Sequence, residues 1–266
     1  MKIYPKNKSQ ETFTFSEEVK YLSLDIGMSQ EAVPISKWLL KNKKRDRGVI
    51  GIEPLPHNIN CLLNGNGRNA HLGQLNLLGN KITQGGHSEL DIKDKFILIE
   101  AAVDNVEVPT EQDFYVATPD TGNCSLVAES ILHPTNPNSI SKKIKVDTIS
   151  LKYIFDRIDN IKFPIIENLK IDTEGKDLDV LKSAGEENLK KVVFINVECW
   201  DGKDAKTGIE IKTASPIIEF LTPLDFELID DSIFEYKFVN KNLKNLITPH
   251  RLTCIDGDEG IFPYKL

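Results

Sequence analysis

The chain has 266 residues, of which 40% are hydrophobic and 27% are charged, which is typical of a globular protein with one large α/β domain. Its net charge of -7 argues against sequence-independent nucleic-acid binding, which needs clustered lysines and arginines. No stretch resembles a signal peptide or approaches the ~20 apolar residues of a membrane span. The four cysteines are scattered without metal-binding spacing, so we expect a cytoplasmic protein with no membrane partner.

Strands alternate with helices after a polar N-terminal arm, residues 1–20. Residues 21–29 (Y-L-S-L-D-I-G-M-S) predict a buried strand, a turn at Gly27 and an amphipathic helix over about 31–42. Further strands are predicted over 49–53, 95–103, 113–117, 168–171 and 192–197, with an edge strand over 143–146. Helices are expected from residue 57, from residue 151, after residue 175 and around 217–221. This alternation predicts a doubly wound, mostly parallel sheet in a single domain.

Two segments depart from the alternation. Residues 64–94 are rich in glycine and asparagine, which favours either a flexible insertion or a surface loop with one short strand near 74–78, and we favour the insertion. Residues 226–229 and 234–239 alternate apolar and polar side chains and predict a terminal antiparallel strand pair. The last segment, 241–266, lacks periodicity and is expected to wrap or cover the body as a lid.

Acidic residues follow many of the predicted strands, where ligands bind in such sheets. Asp25, two residues before Gly27, suits a cofactor with an ammonium group, such as S-adenosylmethionine, although an ordinary strand-to-helix turn has the same pattern. The glycine fingerprint of dinucleotide-binding proteins is absent. Glu53 lies 28 residues after Asp25 and could accept both ribose hydroxyls of NAD or S-adenosylmethionine, or could cap the next helix. Asp172, Glu174 and Glu198 follow later strands.

A set of ordered motifs resembles the FkbM family of S-adenosylmethionine-dependent methyltransferases. The motifs are L-D-I-G-M-S, V-I-G-I-E-P-L-P-H-N, E-A-A-V-D-N, K-V-D-T-I-S-L-K-Y-I, L-K-I-D-T-E-G-K-D-L-D-V-L-K-S-A-G and V-V-F-I-N-V-E. The strand ending K-I-D-T-E-G, followed by V-L-K-S-A, is the most specific of them. The resemblance implies a Rossmann-like class I methyltransferase fold of seven strands, with the methyltransferase domain over residues 21–240.

The resemblance also assigns residues to the cofactor. Asp25 and Gly27 would border its methionine part beside Met28 and Ser29. Glu53, next to Pro54, would hold the ribose hydroxyls. Ala101 and Ala102 would flank the adenine. Ser125 would lie near the methionine part or the substrate. Asp172 and Glu174 would face the reacting end. Glu31 replaces a glycine common in the family, and Ser29 replaces a frequent asparagine.

Methyl transfer to a hydroxyl is helped by a general base, and Asp172, Glu174 and Glu198 are the candidates by position. His87 and His133 are loop histidines that could also serve. Asp172 and Glu174 could instead cap the helix that begins near Lys176. Clustered carboxylates suit Mg²⁺, but no histidine or cysteine spacing supports zinc, and we expect no metal.

The sequence therefore favours an S-adenosylmethionine-dependent methyltransferase that acts on a hydroxyl of a sugar, glycan or small natural product. A non-catalytic module with the same fold is the alternative that the Glu31 substitution motivates. An NAD-dependent oxidoreductase is a further alternative. The missing glycine fingerprint and the terminal strand pair, which separates methyltransferase sheets from dinucleotide-binding sheets, both disfavour it. The expected partner is a small-molecule or carbohydrate acceptor, and the sequence leaves the oligomeric state open.

Overall fold

A computed structural model describes residues 1–4, 11–29, 46–64, 74–76, 81–84, 87–91, 94–117, 124–128, 140–199, 201–203, 210–232 and 235–246. The predicted helix over 31–42, with Glu31, lies outside these residues, as do His133 and the segment beyond residue 246. The proposed domain limits at residues 21 and 240 remain predictions.

The central element is an eight-stranded mixed sheet. From one edge to the other, its strands are β1 (Lys2–Tyr4), β7 (Phe96–Glu100), β3 (Arg47–Ile52), β2 (Tyr21–Ile26), β11 (Ile166–Ile171), β12 (Val192–Glu198), β16 (Glu235–Asn240) and β15 (Phe226–Ser232). The five central strands, β7, β3, β2, β11 and β12, are parallel to one another. The outer pairings, β1 with β7, β12 with β16 and β16 with β15, are antiparallel. The predicted terminal antiparallel pair is therefore confirmed.

The predicted seven-stranded, mostly parallel sheet needs a correction, because β1 adds an eighth strand at the edge. The polar composition of residues 1–20 predicts an arm, and a strand of only three residues is too short to show a period in the sequence. The strand is held by pairing, with Tyr4 opposite Leu98, and by its side chains. Lys2 Nζ and Tyr4 OH both donate to the Glu100 carboxylate at 2.9 Å.

Five helices and two 3-10 turns connect the strands in the described residues. They are α1 (Pro56–Asn64), α2 (Leu151–Phe155), α3 (Asp177–Ser183), α4 (Glu186–Leu189), α5 (Ala214–Leu221) and the turns Thr222–Leu224 and Lys244–Leu246. Helix α2 begins as predicted, because the Ser150 hydroxyl accepts a hydrogen bond from the backbone N–H of Tyr153. Within the described ranges, no helix is long and apolar enough to cross a membrane.

Three smaller sheets lie outside the main sheet. They are β8 (Ala102–Val103), β10 (Ile140–Ile149) and β9 (Thr110–Ala117) in that order; β4 (Gln74–Asn76), β5 (Lys81–Gln84) and β6 (His87–Asp91); and β13 (Asp201–Lys203) with β14 (Glu210–Lys212).

These sheets correct two sequence predictions and add detail to a third region. The single strand predicted over 95–103 is two strands, because a tight turn, in which Ala101 N–H donates to the Ile99 carbonyl, sends β8 into a different sheet. The predicted edge strand over 143–146 is the ten-residue β10 and lies in the middle of its sheet, where β9 and β8 pair along both sides. In the described parts of residues 64–94, where we favour an insertion over a loop with one short strand, three short strands are present, and the insertion itself stays a prediction.

The two faces of the main sheet differ in polarity because side chains alternate along each strand. One face is apolar and includes Leu24, Ile26 and Leu169, each at most 1% exposed. The opposite face carries polar side chains in its centre, among them Asp25 and Asn196, which are also buried. Burial of this polar face means that its charges act on each other in a medium of low dielectric constant.

Candidate functional site

A cleft opens at the carboxyl ends of β2, β3, β7 and β11, and its empty volume is about 510 Å³, including the part open to solvent. This is where the strand order reverses, because β3 and β7 continue the sheet on one side of β2 and β11 continues it on the other. Seven of the ten residues predicted to bind the cofactor line the cleft: Gly27, Ser29, Glu53, Pro54, Ala101, Ala102 and Asp172. Asp25, Met28 and Ser125 do not line it and are at most 2% exposed.

Glu53 follows β3 directly and is held rigidly at the edge of the cleft. One carboxylate oxygen accepts the backbone N–H of Ser29 and the other accepts that of Leu55, both at 2.8 Å. The Asn58 side chain on α1 also hydrogen-bonds this carboxylate. Burial of the carboxyl raises its pKa to about 7, although these hydrogen bonds favour the charged form. Glu53 therefore also fixes the turn after β2.

Gly27 brings that turn against β11. Its φ is +77°, and a Cβ atom placed there would lie 1.7 Å from the carbonyl oxygen of Asp172. The backbone N–H groups of Gly27 and Met28 both donate to the Ile52 carbonyl. Only glycine fits this position, because any side chain would overlap the backbone at the end of β11. The turn therefore joins the ends of β2, β3 and β11 on one side of the cleft.

The T-E-G turn after Asp172 is held by Asp177, a residue that the sequence analysis missed. The carboxylate of Asp177 accepts the backbone N–H and the hydroxyl of Thr173 and the backbone N–H of Gly175. Glu174 has a φ of +54°, which few residues other than glycine adopt. Asp177 therefore orders the turn that precedes α3, whereas no side chain makes a capping hydrogen bond at the start of that helix.

Three carboxylates meet beside this turn, as the sequence predicted. Asp172, Glu174 and Glu198 can each place one oxygen within 4.8 Å of the others. Burial, with the hydrogen bond to Asp172, raises the pKa of Glu198 to about 9. Burial disfavours the charged form of Asp172 as well, but Lys170 and the hydrogen bond from Glu198 hold the pKa of Asp172 below its usual value. Near neutral pH, Glu198 therefore carries a proton that it donates to an ionised Asp172.

The charges of these three carboxylates bear on whether the cluster suits a divalent cation. A divalent cation prefers several ionised carboxylate ligands. Lys170 Nζ already donates to an oxygen of Asp172 at 2.9 Å, and Glu198 holds a proton. In the part of the chain that the structure describes, this is the one group of three such residues with suitable spacing. With no cation bound, Glu198 and Asp172 share one proton.

Asp25 was expected to border the cofactor, but it lies beneath the cleft. It is 1% exposed and pairs in register with Lys170 of β11. Lys170 Nζ lies 3.7 Å from Asp25 Oδ1, which is too long for a hydrogen bond. Burial raises the pKa of Asp25, and the charge of Lys170 opposes that rise.

Ser125 is also buried behind the wall of the cleft, while its neighbours Cys124 and Leu126 line it. The Ser125 hydroxyl donates to the Glu174 carbonyl at 2.7 Å and accepts the backbone N–H of Val127. The backbone of Ser125 also exchanges two hydrogen bonds with that of Tyr115 on β9. Ser125 thus ties the wall formed by residues 124–128 to the T-E-G turn.

Several residues of the cleft carry no sequence signal of their own. Phe114 and Cys124 line it although they belong to a different sheet and to a loop. Asn58 could have been suspected, because it follows two prolines at the start of α1. Lys170 could also have been found, since residues two apart in a strand point to the same side and Lys170 precedes Asp172 by two. His87 lies at the start of β6.

Comparison with known proteins places these features in a family. The family model described as the methyltransferase FkbM domain matches residues 25–237. No curated protein matches the chain significantly. A crystal structure of a methyltransferase FkbM from Methylobacillus flagellatus KT matches at 12% identity and a TM-score of 0.45, covering 84% of this chain. The chain spans 44% of the length of that protein. Because the family model matches most of the chain, this protein belongs to the FkbM methyltransferase family.

Proposed function

We propose that this protein binds S-adenosylmethionine in the cleft and transfers its methyl group to a hydroxyl of a sugar, glycan or small natural product. The observation that carries the proposal is the placement of Glu53. Its two carboxylate oxygens are fixed by one backbone N–H each, at the edge of a cleft that Asp172 also lines. Each oxygen keeps lone-pair capacity for a further donor, such as the hydroxyls of a ribose.

The residues around the cleft fit such a ligand. Its walls combine apolar side chains, among them Ile52, Val103 and Phe114, with a few polar groups at its ends, as small-molecule sites do. When bound, S-adenosylmethionine supplies an electrophilic methyl group. The protein then has to align the acceptor, exclude water and take up a proton.

Asp172 is the group best suited to receive that proton. The acceptor hydroxyl loses its proton as its oxygen is methylated, and Asp172 is ionised near neutral pH because Lys170 stabilises its charge. Glu198 holds a proton until its pKa of about 9 is exceeded, so at neutral pH it is a donor rather than a base. Glu174 lies in the same cluster and could orient the acceptor.

Calorimetry with S-adenosylhomocysteine tests the proposal. We expect one binding site per chain and roughly 10- to 100-fold weaker binding by Glu53→Gln, since an amide cannot accept from both backbone N–H groups and leaves one of them unsatisfied. Glu187→Gln on α4 is the matched control, because its side chain is 86% exposed and should leave binding unchanged. Absence of binding by the unaltered protein, or equal binding by Glu53→Gln, would contradict the proposal.

Two further measurements separate the other functions. Thermal stabilisation by NAD but not by S-adenosylhomocysteine would indicate the oxidoreductase. Binding of S-adenosylmethionine without methyl transfer to any of a broad panel of hydroxyl acceptors would indicate a non-catalytic module.

A further inference from the structure

Two carboxylates are among the described residues that line the cleft, and the groups that surround them differ. Asp172 is paired with a cation, because Lys170 Nζ donates to it at 2.9 Å. Glu53 is 4% exposed, and none of the described groups that act on it is a cation. Its negative charge is stabilised instead by neutral hydrogen-bond donors. The ionisation of Glu53 therefore depends on how many such donors the protein supplies.

The donors to Glu53 are two backbone groups and one side chain. The backbone N–H groups of Ser29 and Leu55 donate at 2.8 Å each, and they are present whichever side chains those two residues carry. Asn58 makes the third hydrogen bond through its side-chain amide, whose N–H groups are its only donors. In the described part of the chain, Asn58 is thus the one side chain whose hydrogen bond favours the ionised form of Glu53.

Asn58 is fixed in the first turn of α1. That helix begins at Pro56, and the backbone N–H of Ile59 donates to the Leu55 carbonyl. Asn58 is 1% exposed and lines the cleft together with Glu53. A buried amide that gives up its partner gains little water in exchange, so the hydrogen bond to Glu53 is costly to break.

We propose that Asn58 is a positioning residue that keeps Glu53 ionised and thereby sets the lowest pH at which the cleft binds its cofactor. The statement about the cofactor rests on the proposed function, in which the ionised Glu53 accepts from ribose hydroxyls. The statement about Glu53 does not, because the hydrogen bond from Asn58 is made without a ligand.

The other titratable groups around Glu53 do not replace this donor. Burial raises the pKa of Glu53 to about 7, and Asp25 on β2 adds to the rise where it is ionised. His57 on α1 is exposed to solvent. Asp172 after β11 is negative, and its own cation, Lys170, donates to it. Loss of the Asn58 donor would therefore leave burial less opposed.

The first test is a titration of the unliganded protein followed by NMR, with glutamate labelled with ¹³C at the side-chain carboxyl carbon. Glu53→Gln identifies the Glu53 resonance. We expect Asn58→Leu to raise the titration midpoint of Glu53 by about 1–2 pH units, because a hydrogen bond to a charged group is lost while burial remains. Asn58→Asp has nearly the same size and shape and should raise the midpoint at least as much, because an ionised carboxylate donates no hydrogen bond and repels Glu53. Asn60→Leu makes the same change at an exposed position of α1 and should leave the midpoint unchanged.

The second test compares the affinity for S-adenosylhomocysteine at two pH values by calorimetry. At pH 7 we expect Asn58→Leu to bind about 5- to 50-fold more weakly than the unaltered protein, because a larger fraction of Glu53 is protonated. At pH 10 Glu53 is ionised in both proteins, and the two affinities should be equal. A merely structural role of Asn58 would weaken binding at both pH values.

Several outcomes would overturn the assignment. They are an unchanged or lowered Glu53 midpoint in Asn58→Leu or Asn58→Asp, and an equal loss of affinity at pH 7 and pH 10. If Asn58→Leu does not fold, the nearly isosteric Asn58→Asp decides the matter by the same titration. Because the titration needs no cofactor, its failure is distinguishable from a failure of the unaltered protein to bind S-adenosylhomocysteine, which would contradict the proposed function instead.

Discussion

Gly27 shows at the scale of one residue why the cleft has its shape. The position combines a φ of +77° with a distance of 1.7 Å between a hypothetical Cβ atom and the Asp172 carbonyl oxygen. Gly185 has a similar φ of +75°, but a Cβ atom there would meet no other atom within 4 Å. A comparison of substitutions at the two glycines therefore separates the cost of a positive φ from the cost of steric overlap.

Gly27→Ala should destabilise the protein more than Gly185→Ala. The positive φ alone costs about 1–3 kcal/mol in either variant. Overlap with Asp172 should add about 1–3 kcal/mol or more at residue 27, because the strand ends must move apart. Urea denaturation of both variants measures the difference. Equal losses would show that the turn after β2 relaxes without moving β11.

The raised pKa of Glu53 leads to a second prediction at the scale of one residue, which concerns the pH dependence of ligand binding. Its pKa of about 7 lies above the usual value for glutamate, so the carboxyl becomes protonated as the pH falls through 7. A protonated carboxyl offers one acceptor fewer to ribose hydroxyls. Affinity for S-adenosylhomocysteine should therefore be full above pH 8 and about tenfold lower at pH 6 if the protonated form binds poorly. Calorimetry across this range measures it.

The variant that lacks the titrating group provides the control. Glu53→Gln should bind weakly and with nearly constant affinity between pH 6 and 8. A pH dependence that persists in Glu53→Gln would assign the effect to another group.

At the scale of elements, the cleft joins parts of the fold that are distant in sequence. The T-E-G turn after β11 and residues 124–128 beside β9 are connected by the Ser125 hydroxyl, which donates to the Glu174 carbonyl at 2.7 Å. The same hydroxyl accepts from Val127, so it satisfies two backbone groups at once. This link couples the wall of the cleft to the turn that carries Glu174.

Ser125→Ala should weaken S-adenosylhomocysteine binding as well as stability. Loss of the hydroxyl removes one hydrogen bond from the Glu174 carbonyl and one from the Val127 N–H, both part-buried, at a cost of about 1 kcal/mol each. Ser150→Ala is the control, because it removes the cap of α2 away from the cleft and should lower stability by about 1 kcal/mol. Calorimetry should show weaker binding for Ser125→Ala alone. Equal affinities would mean that the wall does not depend on this link.

At the scale of the whole molecule, a buried ion pair connects the two halves of the main sheet. Arg47 at the start of β3 and Glu167 on β11 are each 1% exposed, and their side chains are 3.2 Å apart. They reach across β2, which lies between their strands. A buried pair of this kind adds little net stability, but the loss of one partner removes the nearest counter-charge of the other.

Arg47→Met should therefore cost about 3–5 kcal/mol of the free energy of unfolding, and Glu167→Leu should also be destabilising. The double variant should lose much less than the sum of the two, because no charge is then left uncompensated. Urea denaturation of all four proteins completes the cycle. Additive losses would show that the two side chains do not depend on each other.

The elements that the sequence predicted well are those in which one local pattern determines both structure and burial. Continuous apolar runs marked the parallel strands, and alternation marked the terminal pair β15–β16. The polar residues Glu53, Asp172 and Glu198 could be placed at the site because parallel strands end on the same edge of a sheet. The strand β1 was missed because three residues carry no period, and the position of β10 was misjudged because alternation does not tell which strands pair on each side.

What the sequence determined by itself is the order of strands and helices, the family and the acidic residues at the strand ends, because each depends on residues that are adjacent along the chain. The tertiary structure decided the roles of those residues. Asp25 lies within β2 and is buried in the sheet, whereas Asp172 follows β11 and lines the cleft. Asp25 is also in register with Lys170 of β11, from which it is 145 residues distant in the chain. Burial and the distance between charges exist only once the strands have paired, so no local pattern could have contained them.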